Sequence, residues 1–147
     1  MDFERFLICE ETDFLGRTLK DIWDFSDEEI EQTHDFVQLV FPTNKPSMAV
    51  SHGFYLDSET LIEQIKNNPE AKKNIVKSAN WFLSFLERNT YWNQKNDHNQ
   101  LRITRVIESL RLLVSNEEAD KFYRSVLKLI EEDNKVNLNT LVFWKNA

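Results

Sequence analysis

Glycine, proline and cysteine are scarce in this sequence, which has two, three and one of them among its 147 residues. So few chain breakers disfavour a turn-rich β-sandwich and favour long helices. The single cysteine, Cys9, excludes an internal disulfide and a zinc site built from several cysteines, as is usual in a reducing compartment. We therefore expect an all-α protein of the cytoplasm.

Long apolar runs are missing as well. No run approaches the roughly 20 residues that a membrane span requires, and residues 1–14 carry acidic side chains where a signal peptide has a basic start and an apolar stretch. No repeat, low-complexity tract or Gly/Ser linker interrupts the chain. A chain of this length suits one hydrophobic core. We predict a single compact domain, residues 1–147, that makes no contact with a membrane.

Positive charge is scarce in the first part of the chain. Residues 1–57 contain 4 Lys or Arg against 13 Asp or Glu, and the whole chain has a formal net charge of −7. An acidic field of this kind repels phosphate backbones. Nucleic acid is therefore disfavoured as a partner, and Arg111 points away from the other arginines of its predicted helix.

Capping residues and helical periodicity predict about six to seven helices. Ser26 and Glu29 form a capping box that opens a helix expected to continue to Phe41. Residues 42–57 contain two prolines and one glycine, which predicts a long ordered loop. Asp57 or Ser58 is predicted to cap a short helix that ends near Asn67, and Asn68 is predicted to cap a long helix at residues 69–89. The other predicted helices are residues 18–25, one beginning after Asp97, one beginning after Ser115, and a short final helix near Trp144.

The first candidate site lies on the helix predicted after Ser26. At about 100° per residue, His34 and Gln38 lie one turn apart at the edge of its apolar face, with Asp35 beside them. His34 could act as a general base with Asp35 as its orienting group. The alternative, which we favour, is that these side chains fasten the helix to a neighbouring element.

The second candidate site is a polar stripe that His98, Arg102, Arg105 and Ser109 form beside the apolar face of their helix. Two guanidinium groups one turn apart can bind a carboxylate or a phosphate. That anion could belong to a ligand, or it could be internal, with Asp35 as a candidate. We favour the internal partner because the front of the chain offers many carboxylates.

The third candidate is aromatic. On the helix predicted for residues 69–89, Trp81 and Phe85 project from a different side than the expected core residues, so that helix is apolar on two faces. Either it is central and buried on both, or the second face lines a groove for an apolar peptide.

Several kinds of site are not predicted. His34, His52 and His98 fall on different elements, so we assign no metal. The chain has neither a Gly-rich phosphate loop nor a Gly-x-Ser-x-Gly elbow, and we assign no cofactor and no catalytic residue.

Two motifs resemble the conserved region of the opioid growth factor receptor family. HDFVQLVFP, at residues 34–42, is similar to the family's His-Asp-Tyr-Ile-Gln-Trp-Leu-Phe-Pro run, and residues 102–105 match its Arg-Ile-Thr-Arg segment. The resemblance extends from about Gly16 to Tyr123. Phe36 replaces the family's usual Tyr, and Leu39 and Val40 replace its Trp-Leu pair. The resemblance implies an all-helical domain of unassigned activity and does not extend to hormone binding.

We predict a helical domain that binds a protein or peptide partner of unknown identity. The predicted binding residues are His34, Asp35, Gln38, Trp81, Phe85, Arg102, Arg105 and Ser109. The alternative is an enzyme of unknown reaction that acts on a small anionic substrate through a His/Asp/Arg site. The sequence does not determine the oligomeric state.

Overall fold

The structure is a computed structural model that describes residues 1–50 and 52–147; Ser51, in the predicted loop, lies outside the described residues. The described residues form nine α-helices, one 3₁₀ turn and no strand. The predicted all-α class is confirmed, and the predicted count of six to seven helices is too low. The helices are α1 (Phe3–Leu7), α2 (Leu19–Trp23), α3 (Asp27–Gln32), α4 (Val37–Val40), α5 (Glu59–Lys66), α6 (Pro69–Arg88), α7 (His98–Leu113), α8 (Asn116–Leu129) and α9 (Leu138–Asn146), with the 3₁₀ turn at Thr90–Trp92.

The chain divides into two compact units, residues 1–78 and residues 79–147. The boundary falls within α6. The prediction of one domain stays a prediction, and the two units are described separately below.

Helix starts follow the predicted caps. Ser26 Oγ accepts from the Glu29 amide at 3.1 Å, and the Glu29 carboxylate accepts from the Ser26 amide at 3.0 Å, which completes the predicted capping box. Asn68 Oδ1 accepts from the first amides of α6, which begins at Pro69 as predicted. Three more helices begin directly after their predicted caps, Ser58, Asp97 and Ser115.

The helix predicted from Ser26 to Phe41 is wrong in its extent. It ends at Gln32, four residues are non-helical, and the single turn of α4 follows. Asp35 forms an ion pair with Arg17. The ring of Phe36 packs edge-to-face on that of Phe25 at a centroid distance of 5.5 Å. These tertiary contacts outweigh the weak helix propensity of residues 33–35.

Burial around α4 follows from this break. Residues 36–43 are all buried, and Leu39 is 0% exposed although a continuous helix would have turned it away from the core. A short turn that is buried on all sides cannot show the one-sided pattern of an amphipathic helix.

Within residues 1–78, side-chain hydrogen bonds fasten the short helices to the first half of α6. The Asn74 amide donates to the Leu7 carbonyl at 2.8 Å, and Trp23 Nε1 donates to Ser78 Oγ at 2.9 Å. Between α4 and α5 the described residues contain no helix, as the predicted loop requires, and the Leu56 amide closes that loop on the Thr43 carbonyl at 2.9 Å.

Within residues 79–147, α7 is the central helix and packs against α8, α9 and the 3₁₀ turn. Its predicted apolar face is confirmed, since every member is at most 1% exposed. That face consists of Ile103, Val106, Ile107, Leu110 and Leu113. The described residues include no helix with both the length and the apolarity that a membrane crossing requires.

Candidate functional site

Helix α9 lies alongside α7. One hydrogen bond at the start of α9 and two toward its end hold it in place. The Asn137 amide donates to the Lys95 carbonyl at 3.3 Å, Trp144 Nε1 donates to the Gln100 carbonyl at 3.0 Å, and Arg111 Nε donates to the Ala147 carbonyl at 2.7 Å. The Trp144 indole is fully buried. The buried indole fixes the rotation of α9 about its axis. The adjacent residue, Phe143, therefore faces outward.

A concave surface of about 430 Å³ lies between these two helices. Its apolar walls are Leu101 on α7 and Phe143 on α9, which are 72% and 65% exposed. The remaining lining residues, which are polar, are Asn96, Asp97, His98, Gln100, Thr104 and Thr140. We call this surface the α7–α9 groove.

Helices α7 and α9 carry two exposed apolar side chains besides the walls of the groove. Of nine large apolar side chains that are exposed in the described residues, four belong to α7 and α9. Besides the two walls, these are Leu138 and Val142 of α9, which are 73% and 47% exposed. Isolated exposed apolar residues are ordinary, whereas a cluster marks an interaction surface.

The polar end of the groove is rigid. Asp97 caps α7 by accepting from the Asn99 amide at 2.9 Å. The Gln100 side-chain amide donates to the carbonyls of Trp92 and Gln94 at 2.9 and 2.7 Å. These bonds restrain the polar end of the groove, which lowers the entropic cost of binding a partner there.

A larger concavity, about 720 Å³, lies in residues 1–78. Carboxylates of Glu4, Glu59 and Glu63 line it, and Pro69 is its one apolar lining residue. No large apolar side chain lines it, so it offers no anchoring contact comparable to Leu101 or Phe143. We therefore place the candidate site at the α7–α9 groove, although that groove is smaller.

The three residues predicted as the first site have different surroundings. His34 is exposed in the break between α3 and α4, and Gln38 is buried on α4 at 8% exposure. Asp35 Oδ1 accepts from Arg17 Nη1 at 2.8 Å. Asp35 thus has an internal partner, Arg17, which the sequence patterns did not indicate as a donor.

Arg17 is also bound to Asp13. Its Nε donates to Asp13 Oδ2 at 2.7 Å, and Asp13 Oδ1 accepts from the backbone amides of Leu15 and Arg17 at 2.8 and 3.0 Å. Burial alone would lower the pKa of Arg17, but the bonds to Asp35 and Asp13 outweigh burial and raise it. The cluster of Asp13, Arg17 and Asp35 fastens the turn after α1 to the break before α4.

Of the predicted polar stripe of α7, Arg102 and Ser109 are buried, Arg105 is half-buried and His98 is exposed. Arg102 is 7% exposed and its Nη1 donates to Asn99 Oδ1 at 3.3 Å, while Ser109 is 0% exposed. Burial lowers the pKa of Arg105 to about 10, against the opposing effect of Glu108. Arg105 still carries its charge at neutral pH. That Arg102 or Arg105 binds Asp35 stays a prediction.

The predicted aromatic pair separates into two environments. Phe85 is 0% exposed and stacks on Phe82 with ring centroids 5.6 Å apart, so it is a core residue and cannot contact a partner in this conformation. Trp81 is half-buried. Burial on both faces of α6, the first of the two explanations for its apolar pattern, accounts for Phe85.

Leu101 and Phe143 were not among the predicted binding residues. Leu101 lies about 200° around the helix from Ile103, so a helical projection would have shown it opposite the core face. The sequence carried no comparable signal for Phe143, since either it or Trp144 could have turned inward.

In the described part of the chain, no group of three or more His, Cys, Asp or Glu side chains is placed to hold a metal ion. No family model, curated protein or solved structure matches the chain.

Proposed function

We propose that this protein is a helical interaction domain that binds a peptide or protein partner in the α7–α9 groove. The observation that carries the proposal is the pair of exposed apolar walls, Leu101 and Phe143, on either side of a concave surface. Binding sites for peptides commonly combine a concave apolar surface with a few polar groups that fix orientation.

The energy available in the groove suits a moderate affinity. Fully burying one Leu or Phe side chain contributes about 1.5–3 kcal/mol, and both walls together with the partner's own apolar side chains supply several times that amount. The costs of association remove much of it. We expect a dissociation constant of about 1–100 μM, which is typical of a small groove that binds one or two anchoring side chains.

The resemblance to the opioid growth factor receptor conserved region supports the proposal only as far as an all-helical domain. The alternative of an enzyme that acts on a small anionic substrate stays a prediction.

Peptide display tests the proposed function. A random peptide library is selected on the wild-type protein, and the selected peptides are then measured on a Leu101→Glu/Phe143→Glu double variant. Both side chains are exposed, so we expect the variant to remain folded with a stability close to that of the wild type. Peptides with bulky apolar residues should be enriched and should lose at least about tenfold in affinity on the variant.

Met48→Glu is the matched control. Met48 is 98% exposed and lies in residues 1–78, outside the groove, so this variant replaces one exposed apolar residue with a carboxylate and adds one of the double variant's two negative charges. It should bind like the wild type. Selected peptides that bind the double variant as tightly as the wild type, or a selection that yields no binder, would contradict the proposal.

A further inference from the structure

The imidazole of His52 belongs to a small aromatic cluster within residues 1–78. Its ring centroid lies 5.1 Å from that of Phe14, on the turn after α1, and 5.5 Å from that of Phe54, two residues further along the loop. Phe14 and Phe54 also contact each other, with ring centroids 5.4 Å apart. His52 therefore joins the loop between α4 and α5 to the turn after α1.

A hydrogen bond determines which protonation state the His52 ring has in this cluster. The Phe54 amide donates to His52 Nδ1 at 3.3 Å, and only an unprotonated ring nitrogen can accept. The single proton of the neutral ring is therefore on Nε2. Nε2 is buried and has no hydrogen-bond partner among the described residues. The packed ring is thus the neutral Nε2–H tautomer.

No carboxylate of the described residues forms an ion pair with this ring. Two segments pack on it, the turn after α1 and the loop itself. On the turn, Asp13 is paired with Arg17 at 2.7 Å and Glu11 with Arg5 at 3.0 Å. The other titratable groups of the two segments are Cys9, Glu10, Lys45, Tyr55 and Asp57. A proton added to His52 therefore creates a charge that no bound carboxylate balances.

We infer that His52 is an acid-sensitive clip, which holds the loop on the turn after α1 while its ring is neutral and releases Phe14 and Phe54 when its ring is protonated. Protonation places a hydrogen on Nδ1, where it faces the Phe54 donor, so the hydrogen bond is lost. It also adds charge to a ring whose Nε2 is removed from water. Attraction between the imidazolium and the two Phe rings opposes the release, but it does not supply the missing acceptor.

The direction of the pH dependence follows from these contacts. Histidine changes its charge between about pH 5 and pH 8, so the clip is closed at the upper end of this range and opens as the pH falls. Phe14 and Leu15 are already 39% and 55% exposed, and opening uncovers more of this apolar patch. The patch lies in residues 1–78 and the α7–α9 groove in residues 79–147, so the inference does not depend on the proposed function.

NMR spectroscopy at about pH 8 and about pH 5 tests the inference on the wild-type protein. At the higher pH, the ring nitrogen shifts of His52 should show the Nε2–H tautomer, and nuclear Overhauser contacts should join its ring to those of Phe14 and Phe54. At the lower pH these contacts should be lost. Protection of the Phe54 amide from hydrogen exchange, corrected for the intrinsic rate, should fall about three- to tenfold.

Two other sites separate local opening from acid unfolding. The Leu56 amide closes the base of the loop on the Thr43 carbonyl, and the Trp144 indole is buried in residues 79–147. Neither bond involves a histidine, so both should be unchanged at the lower pH.

His52→Asn is the matched variant. An Asn side chain accepts from the amide two residues ahead, as His52 Nδ1 does, and it does not titrate. The contact between Phe14 and Phe54 should therefore be the same at both pH values in this variant, and binding of a hydrophobic dye should rise on acidification only in the wild type. His98→Asn removes an exposed histidine of α7 and should keep the wild-type response.

The wild type alone can overturn the inference. Contacts of His52 with Phe14 and Phe54 that persist at the lower pH would do so, and so would an Nδ1–H tautomer at the higher pH. A His52→Asn variant that loses the Phe14–Phe54 contact on acidification to the same extent as the wild type would assign the response to another group.

Discussion

Trp144 is the residue on which the α7–α9 groove depends, and replacing it gives the sharpest prediction of stability. The indole is 0% exposed, its ring centroid lies 6.4 Å from that of Trp92, and Nε1 donates to the Gln100 carbonyl at 3.0 Å. Truncating a buried Trp to Ala typically costs about 3–5 kcal/mol. Losing the hydrogen bond accounts for about 1 kcal/mol of that.

We therefore expect Trp144→Ala to lower the free energy of unfolding by about 3–5 kcal/mol. Trp144→Phe keeps most of the apolar volume and should cost about 1–2 kcal/mol, mainly through the lost hydrogen bond. Urea unfolding should be monitored by circular dichroism, because the α-helical signal, unlike tryptophan fluorescence, does not depend on which Trp residues the variant retains. The whole protein is expected to be stable by only about 5–15 kcal/mol, so the Ala variant should be markedly easier to unfold.

The neighbouring residue supplies the control. Phe143 lies on the same helix but is 65% exposed, so Phe143→Ala should change the free energy of unfolding by no more than about 0.5 kcal/mol. If Trp144→Ala and Phe143→Ala have similar costs, the rotation of α9 is not the one described here, and Phe143 does not wall the groove.

Three further predictions concern residues 1–78. Asp13→Ala should lower the free energy of unfolding in urea by about 2–4 kcal/mol, because the Asp13 side chain is 0% exposed and accepts from Arg17. Asp35→Ala should lower it by less than about 1 kcal/mol, because the Asp35 side chain is 33% exposed. Equal losses for the two variants would contradict the cluster. Hydrogen bonds from Thr18 lower the pKa of Asp21, so they stabilise the fold above the ordinary pKa and cease to do so as the pH falls through the lowered value. Thr18→Ala keeps the backbone bond, the larger cause, and removes only the side-chain bond, so the pKa should rise part of the way to its ordinary value in an NMR titration; a pKa that rises all the way would contradict the backbone bond as the main cause. Burial raises the pKa of the Cys9 thiol, so iodoacetamide should alkylate it more slowly at neutral pH than it alkylates free cysteine, and an equal rate would refute the burial.

Helix starts could be predicted from the sequence because a cap is a local interaction. Ser58 and Ser115 each accept from an amide three residues ahead, and that relation is visible in the chain itself. The break after Gln32 could not be predicted in the same way. The break depends on the contact of Arg17 with Asp35 and the contact of Phe25 with Phe36. The residues of each pair are separated along the chain and meet only in the folded structure.

Only one wall of the candidate site could be predicted from the sequence. Leu101 lies opposite the apolar face of its helix and could have been identified from periodicity alone. The outward position of Phe143 could not, because the bond from Trp144 to Gln100 decides which of two adjacent aromatic rings turns inward. Phe85 was ambiguous for a related reason, since a helix that is apolar on two faces does not reveal which face is covered.

The most direct test of the central proposal is chemical-shift mapping by NMR on the isotope-labelled protein with a peptide selected by display on the wild type. We predict that the largest backbone amide shifts will lie at Leu101, Thr104, Thr140 and Phe143, with residues 1–78 nearly unchanged. Shifts concentrated within residues 1–78, or no shifts at saturating peptide, would contradict the assignment of the α7–α9 groove as the binding site.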